Sequence, residues 1–188
     1  MGAVVIDVSV SLDGYMAAPH DIPGNGLGDD GMRLHNWMFD DPTIFERIYG
    51  DLRQSTGAVI IGRRTYDNSI PEWGGSGPLG DDVPCIVVTH EAPDSAPDVF
   101  SFVTDGIEAA HEQAQAVAGD KVIGVMGGSL ATQFLDAGLV DQLRIHIVNV
   151  LLGDGRRLFG TLPERVELAQ TSVSETDGVT HLEYRVVR

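Results

Sequence analysis

Apolar positions along the chain fall into short runs broken by Gly, Pro and Asp, and their spacing alternates between two kinds. Runs too short for a helix and rich in Val and Ile occur at Ala3–Val10, Ala58–Ile61, Cys85–Thr89, Val99–Val103 and Val122–Met126. Each reads as a buried strand. Between them the spacing turns helical. Ile44, Phe45, Ile48, Tyr49 and Leu52 form one face behind Asp41-Pro42, an N-cap followed by proline at the first helical position. A short helix is expected near Arg63–Asn68. Another shows the face Ile107, Ala110, Ala114 and Val117, and a third covers Ser129–Ala137 and ends at Gly138. The rest is strand-like: Gln142–Leu152, Glu164–Ser174 and Val179–Val187, with Asp177-Gly178 as a hairpin turn.

Strands that alternate with helices imply a three-layer α/β domain with a mixed, mainly parallel twisted sheet, closed by a C-terminal antiparallel hairpin. No repeat or linker divides the chain, so residues 1–188 are expected to form one domain. Two Gly- and Pro-rich loops, Ala17–Gly31 and Ser69–Asp82, are longer than plain connections. Ligands of such sheets sit beyond the carboxyl ends of the parallel strands. That rule selects Asp13-Gly14, Gly62-Arg63, Thr89-His90 and Gly127-Gly128.

Composition narrows the classes of partner. The net charge is −16, and a single lysine, Lys121, stands beside eleven arginines. Nucleic acid is therefore excluded as the main partner, since phosphate-backbone binding needs clustered cations. No apolar run approaches the ~20 residues that span a bilayer, and the N-terminus lacks a basic leader. One cysteine, Cys85, precludes an internal disulfide. The expectation is a cytoplasmic protein whose partner is a small molecule.

Two motifs carry chemistry. In Val125-Met126-Gly127-Gly128-Ser129-Leu130-Ala131 a buried strand turns through two glycines into a helix. Glycine admits a close ligand, and free N–H groups at a helix start attract phosphate. The same segment also serves as a tight turn with no ligand. In Ile60-Ile61-Gly62-Arg63-Arg64-Thr65-Tyr66 a second strand ends at glycine, and two arginines and a threonine enter a helix's first turn. Cations there oppose the helix dipole, a conflict that a bound polyanion removes; pairing with surface carboxylates is the other account. Phosphates at two separate points suit a dinucleotide with an extra phosphate.

These motifs resemble the dihydrofolate reductase-like superfamily. The likeness is greatest to the reductase domain of the bifunctional riboflavin-biosynthesis deaminase-reductase and its stand-alone bacterial relatives. It extends through Ser11-Leu12-Asp13-Gly14-Tyr15, Gly138-Leu139-Val140-Asp141-Gln142-Leu143 and Leu151-Leu152-Gly153-Asp154-Gly155, and so spans nearly the whole chain. The resemblance implies NADPH lying across the strand ends. Behind Gly62, Arg63 or Arg64 together with Thr65 would hold the 2′-phosphate and pyrophosphate, Thr89 would flank the adenosine, and Gly127, Gly128, Ser129, Leu130 and Ala131 would hold the pyrophosphate. The acceptor is expected between Asp13, Tyr15, the Ala17–Gly31 loop closing over it, the Asp41 helix with Phe45, and the Gly153–Gly155 turn, with Trp37 lining the pocket or covering the sheet. Asp13 either orients the acceptor, as the catalytic candidate, or fixes its own loop. Asp41 either holds a heterocycle or simply caps its helix.

The expected function is an NADPH-dependent reductase that delivers hydride to a flat pterin-like or pyrimidinone-like ring or a related conjugated substrate. A non-catalytic NADPH-binding protein on the same scaffold is the alternative. Gly127-Gly128-Ser129-Leu130-Ala131 also lies one residue from a nucleophile elbow, which raises a serine hydrolase using Ser129 with His146 or His181. No histidine spacing supports a metal site. The apolar strand Ile145–Leu152, if exposed, favours a homodimer.

Overall fold

The computed structural model describes residues 2–188. Eight strands form one sheet, in the order β5-β4-β3-β6-β1-β7-β10-β9. They are β1 (Val4–Ser11), β3 (Thr56–Gly62), β4 (Cys85–Val88), β5 (Phe100–Val103), β6 (Val122–Met126), β7 (Gln142–Val148), β9 (Leu168–Thr176) and β10 (Val179–Val186). The first six in spatial order run parallel, and β10 and β9 close the sheet antiparallel. A separate ribbon pairs β2 (Tyr15–Ala17) with β8 (Arg156–Arg157). The expected mixed, mainly parallel sheet with its closing hairpin is present.

Helices cover both faces. On one face, α4 (Ile107–Ala118) and α5 (Gly128–Asp136) pack Ala110, Ala114 and Phe134 onto Val4, Ile6, Ile60 and Ile123. On the other, α3 (Arg63–Trp73) sets Tyr66, Ile70 and Trp73 against Val59, Ile61, Val87 and Phe100. The short α1 (Asn36–Phe39) and α2 (Pro42–Ser55) follow a 3-10 turn at Gly31–Leu34. Cys85 is buried in β4, where desolvation pushes its thiol up to about 12, so it serves as a core residue.

Several sequence expectations need correction. Helix α3 continues past Asn68 and through Pro71, because Ile70 and Trp73 still pack on the core, and stops at the left-handed Gly74. In α4 the buried stripe is Ile107, Ala110, Ala114 and Ala118, while Val117 points outward at 51% exposure. The apolar positions of α2 bury none of its residues; Phe45 stacks between Phe39 and Tyr49 instead. Strand β7 ends at Val148, where Val150 bonds back to the Val148 carbonyl. It lies between β1 and β10, so the exposed apolar strand that motivated a homodimer does not exist. No helix among the described residues is long and apolar enough to cross a membrane.

Candidate active site

The site originates in the sheet. Strand β1 pairs with β6 only at Val4↔Ile123, Val5↔Gly124 and Ile6↔Val125, whereas it stays paired with β7 as far as Ser11↔Val148. Beyond Ile6 the two central strands separate, and a cleft of about 220 Å³ opens there. Its floor is Ile6, Asp7, Val8, Val125 and Met126. Gly62, Arg64, Thr65, Gly127, Gly128, Ser129, Leu130 and Ala131 all line it, and Asp21, His35 and Arg156 complete the wall.

Two helices begin at this cleft without a side-chain cap. Helix α3 starts after Gly62 at the end of β3, and α5 starts after Gly127, which follows the adjacent β6. The first main-chain bond of α5 runs from the Ala131 N–H to the Gly127 carbonyl, which leaves the earlier N–H groups outside the helical ladder. Gly127 has φ +105, and a Cβ there would lie 2.9 Å from the Thr65 hydroxyl oxygen, so the two motifs meet in space. Uncapped helix starts turn free N–H groups toward the cleft, and the chemistry of these residues fits a dinucleotide phosphate.

The arginines divide their tasks. Arg63 donates to Asp67 at 2.8 Å and to the Glu91 carbonyl at 2.7 Å, with the Thr89 hydroxyl 3.4 Å away. It therefore joins the ends of β3 and β4, outside the residues that line the cleft. Arg64 and Arg156 both bind Asp21, which belongs to the long loop after β2. The contacts are 3.1 and 3.2 Å from Arg64 and 2.8 and 2.9 Å from Arg156. Burial pushes the Asp21 carboxyl up, but the guanidinium groups of Arg156 and Arg64 outweigh it and hold the carboxyl below the usual range. Two cations share one carboxylate at this wall, so the Arg64–Asp21–Arg156 cluster carries one positive charge in excess, while Asp7 and Glu72 line the cleft elsewhere.

Of the segments expected to hold the acceptor, the Ala17–Gly31 loop reaches the cleft through Ala17, Asp21, Gly26 and Leu27, whereas Asp13, Tyr15, Trp37, Asp41, Phe45 and Gly153 are not among the lining residues. Asp13 accepts the N–H groups of Gly153 at 2.8 Å and Leu152 at 3.1 Å. The Ser11 hydroxyl first, and then those amides, hold its carboxyl down at about 2. Its oxygens tie two loops together. Tyr15 lies under Arg157, whose guanidinium carbon is 4.6 Å from the ring centroid, and its hydroxyl faces the Gly153 carbonyl at 3.4 Å. Asp41 is the cap of α2, accepting from the Thr43 N–H at 2.8 Å, and Phe45 packs on its own helix. Trp37 covers the sheet, its indole N–H bonded to the Ser9 hydroxyl at 3.1 Å. The Ser129 hydroxyl meets Gln133, and His146 and His181 bond each other, so no triad is assembled. Among the described residues no cluster of His, Cys, Asp or Glu is arranged to hold a metal ion.

Sequence reasoning missed Asp7, His35 and Asp21. The sequence signal for Asp7 was the alternation of Asp7, Ser9 and Ser11 with Ile6, Val8 and Val10, which marks one polar face on a central strand. Asp21 and His35 carry no local signal, since tertiary packing alone brings them to the cleft.

A parallel sheet parted at its centre, with helix starts facing the gap, defines a dihydrofolate reductase-like α/β domain. The chain belongs to the family of the RibD C-terminal domain, whose model matches residues 3–182. It is similar to the uncharacterised proteins YyaP (25% identical, covering 96% of this chain and 93% of that protein) and YwjB (26%, covering 96% and 95%), both of Bacillus subtilis strain 168. Among solved structures, a putative riboflavin biosynthesis protein from Shewanella sp. PV-4 superposes with a TM-score of 0.78 at 23% identity, over 100% of both chains. A diaminohydroxyphosphoribosylaminopyrimidine deaminase/5-amino-6-(5-phosphoribosylamino)uracil reductase from Thermotoga maritima gives 0.67 at 15% identity, over 99% of this chain and 57% of that one. A pyrimidine reductase-like protein from Corynebacterium diphtheriae gives 0.63 at 18%, over 100% and 92%.

Proposed function

We propose that the protein is an NADPH-dependent reductase acting on a small pyrimidine-like heterocycle or a related conjugated acceptor. One observation carries this reading: two uncapped helix starts, on adjacent strands, face the slot where β1 and β6 separate. When bound, the nicotinamide supplies a hydride. The chain's residues hold and orient. The α5 start with Gly127, Gly128 and Ser129 takes the pyrophosphate. Arg64 offers its fork to the 2′-phosphate, while Arg63 stiffens the β3–β4 rim through Asp67 and Glu91. The family and the activity of the Thermotoga maritima deaminase/reductase support the pyrimidine class of acceptor.

Calorimetric titration with NADPH and NADH tests the cofactor. NADPH is expected to bind more tightly, and Arg64→Ala to weaken it about 10-fold, near 1.5 kcal/mol. That is the low end for a charge-assisted contact, because Arg64 must first give up part of its bond to Asp21. Equal affinities for the two cofactors, unaffected by Arg64→Ala, refute the assignment. The functional test is NADPH oxidation with 5-amino-6-(5-phosphoribosylamino)uracil. Tight NADPH binding without reduction of any acceptor in a panel of pyrimidines, dihydrofolate and conjugated carbonyls favours a binding protein instead.

A homodimer remains part of the proposal on a different basis. Strand β9 forms one edge of the sheet and is exposed along nearly all its length, including Leu168 and Val173. Light scattering at micromolar concentration is expected to give twice 20.1 kDa. A species at the single-chain mass counts against it.

A further inference from the structure

The polar face of the sheet continues from the cleft to the surface as a line of hydrogen bonds. Asp7 lines the cleft on β1, and its Oδ1 lies 2.9 Å from His146 Nε2 on β7. His146 Nδ1 lies 2.7 Å from His181 Nδ1 on β10, and His181 Nε2 lies 2.8 Å from the Thr176 hydroxyl on the exposed edge strand β9. Strand register fixes this alignment, since Asp7 is next to Arg144, and His181 is directly opposite both His146 and Ser174.

We propose that Thr176, His181, His146 and Asp7 form a proton relay from the protein surface to the cleft, delivering the proton that must accompany hydride transfer to the acceptor. The proposal rests on the reductase reading above. Reduction of a C=N or C=O bond adds a hydride to carbon and a proton to nitrogen or oxygen. The histidine pair starts with its one extra proton, held on His181 Nε2 at the Thr176 edge. The Asp7 carboxylate takes the His146 Nε2 proton and hands it to that heteroatom, so Asp7 ends as the carboxylate it was. His146 Nδ1 takes the His181 Nδ1 proton, and His181 keeps the one on Nε2. Both rings end neutral and the line is one proton poorer; a proton from water, with both rings turning over, restores the starting state.

The geometry restricts the proton states. Two Nδ1 atoms 2.7 Å apart hold one proton between them, so the pair accepts one extra proton and not two. Trp37 packs 5.0 Å from the His146 ring and 4.8 Å from that of His181, shielding the middle of the line from water. The charged and titratable groups around it are Arg144 on β7, which is 3.7 Å from Asp7, Glu183 on β10 opposite Arg144, and His35 beside α1. Burial, and then His146, lower the His181 pKa, against an opposing pull from Asp7. The Nδ1 atom of His35, buried at the cleft, has no hydrogen-bond partner among the described residues, which leaves it available to a polar group of an acceptor.

The test combines NMR with kinetics. In ¹⁵N-histidine spectra of the free protein, one added proton is expected for the His146–His181 pair as pH falls, with His146 carrying its neutral-state proton on Nε2. Two independent full protonations overturn the relay. With 5-amino-6-(5-phosphoribosylamino)uracil, the wild-type rate is expected to fall as pH rises through deprotonation of the pair. Asp7→Asn and His181→Gln are expected to slow turnover by at least about tenfold and to flatten that dependence, with NADPH affinity kept. Imidazole is expected to restore part of the rate of His181→Ala, which a packing defect would not allow. Variants that bind NADPH and keep the wild-type rate and pH profile overturn the relay and leave the reductase reading standing. A wild-type protein that binds NADPH and reduces nothing removes both.

Discussion

Gly128→Ala is expected to cost about 3 kcal/mol of stability and to abolish measurable NADPH binding. A Cβ at Gly128 would lie 2.6 Å from the Arg157 carbonyl oxygen, 2.8 Å from that of Leu158 and 3.1 Å from the Met16 sulfur. The two closest atoms are backbone, and their segment is anchored by the β2–β8 pairing and by the Leu158 N–H bond to the Gly14 carbonyl at 3.2 Å. Neither side can give without moving the ribbon or the start of α5, and overpacking against fixed backbone falls at the upper end of its usual cost. Gly62 is the control. An added Cβ there meets nothing within 4 Å at an ordinary φ of −80, so Gly62→Ala is expected to change stability by less than about 0.5 kcal/mol. Urea unfolding of both variants decides the matter. Equal midpoints would show that the α5 start is not pressed against the β8 segment.

The second large effect is a loss of stability in acid that His35 produces. Burial, and then the nearby His146, lower its pKa from 6.5 to about 4. An unfolded chain therefore binds a proton at His35 below about pH 6.5, while the folded protein binds it only near 4. Between these values the unfolded state holds more protons, so stability falls as pH is lowered across that window and is unaffected above it. The full loss is about 3 kcal/mol, since each tenfold difference in proton affinity between the folded and unfolded chain is worth about 1.4 kcal/mol. Carboxylates add their own losses in the same range, so the measurement is a difference. Denaturant melts at about pH 7.5, 5.5 and 4.5 are expected to show a shallower decline for His35→Gln than for wild type. Parallel declines would mean that His35 takes up its proton in the folded state.

The legibility of the chain followed the range of the interactions involved. The buried strands and the two Gly-to-helix turns are encoded within a few residues, so apolar runs and turn glycines announced them, and the cleft indeed brings together Gly62, Arg64, Thr65 and Gly127–Ala131. The acceptor side was left with two readings for a physical reason. A carboxylate before glycine or proline can bond either a ligand or the backbone, and only the folded chain shows Asp13 taking the Leu152 and Gly153 N–H groups and Asp41 those of its own helix start. His146 and His181 enter the sequence reading only as partners for Ser129, yet strand pairing joins them to each other, across 35 positions. Asp21 gained its role from Arg64 and Arg156, its partners 43 and 135 positions away. The apolar spacing of α2 promised a buried face, but Phe45 and Tyr49 pack on one another and on Phe39 of α1, and no residue of α2 is buried.

The early parting of β1 from β6 has a mechanical consequence. Three residue pairs join the plate β5-β4-β3-β6 to the plate β1-β7-β10-β9, whereas β1 and β7 share seven. The seam in the middle of the sheet is thus its most compliant line, and bending concentrates there. A molecule lodged in the slot touches both plates and acts as a splint. Amide exchange at Val122–Met126 and on the β6-facing edge of β1 should then slow on NADPH binding, while the β7–β10 ladder, already rigid, should barely respond.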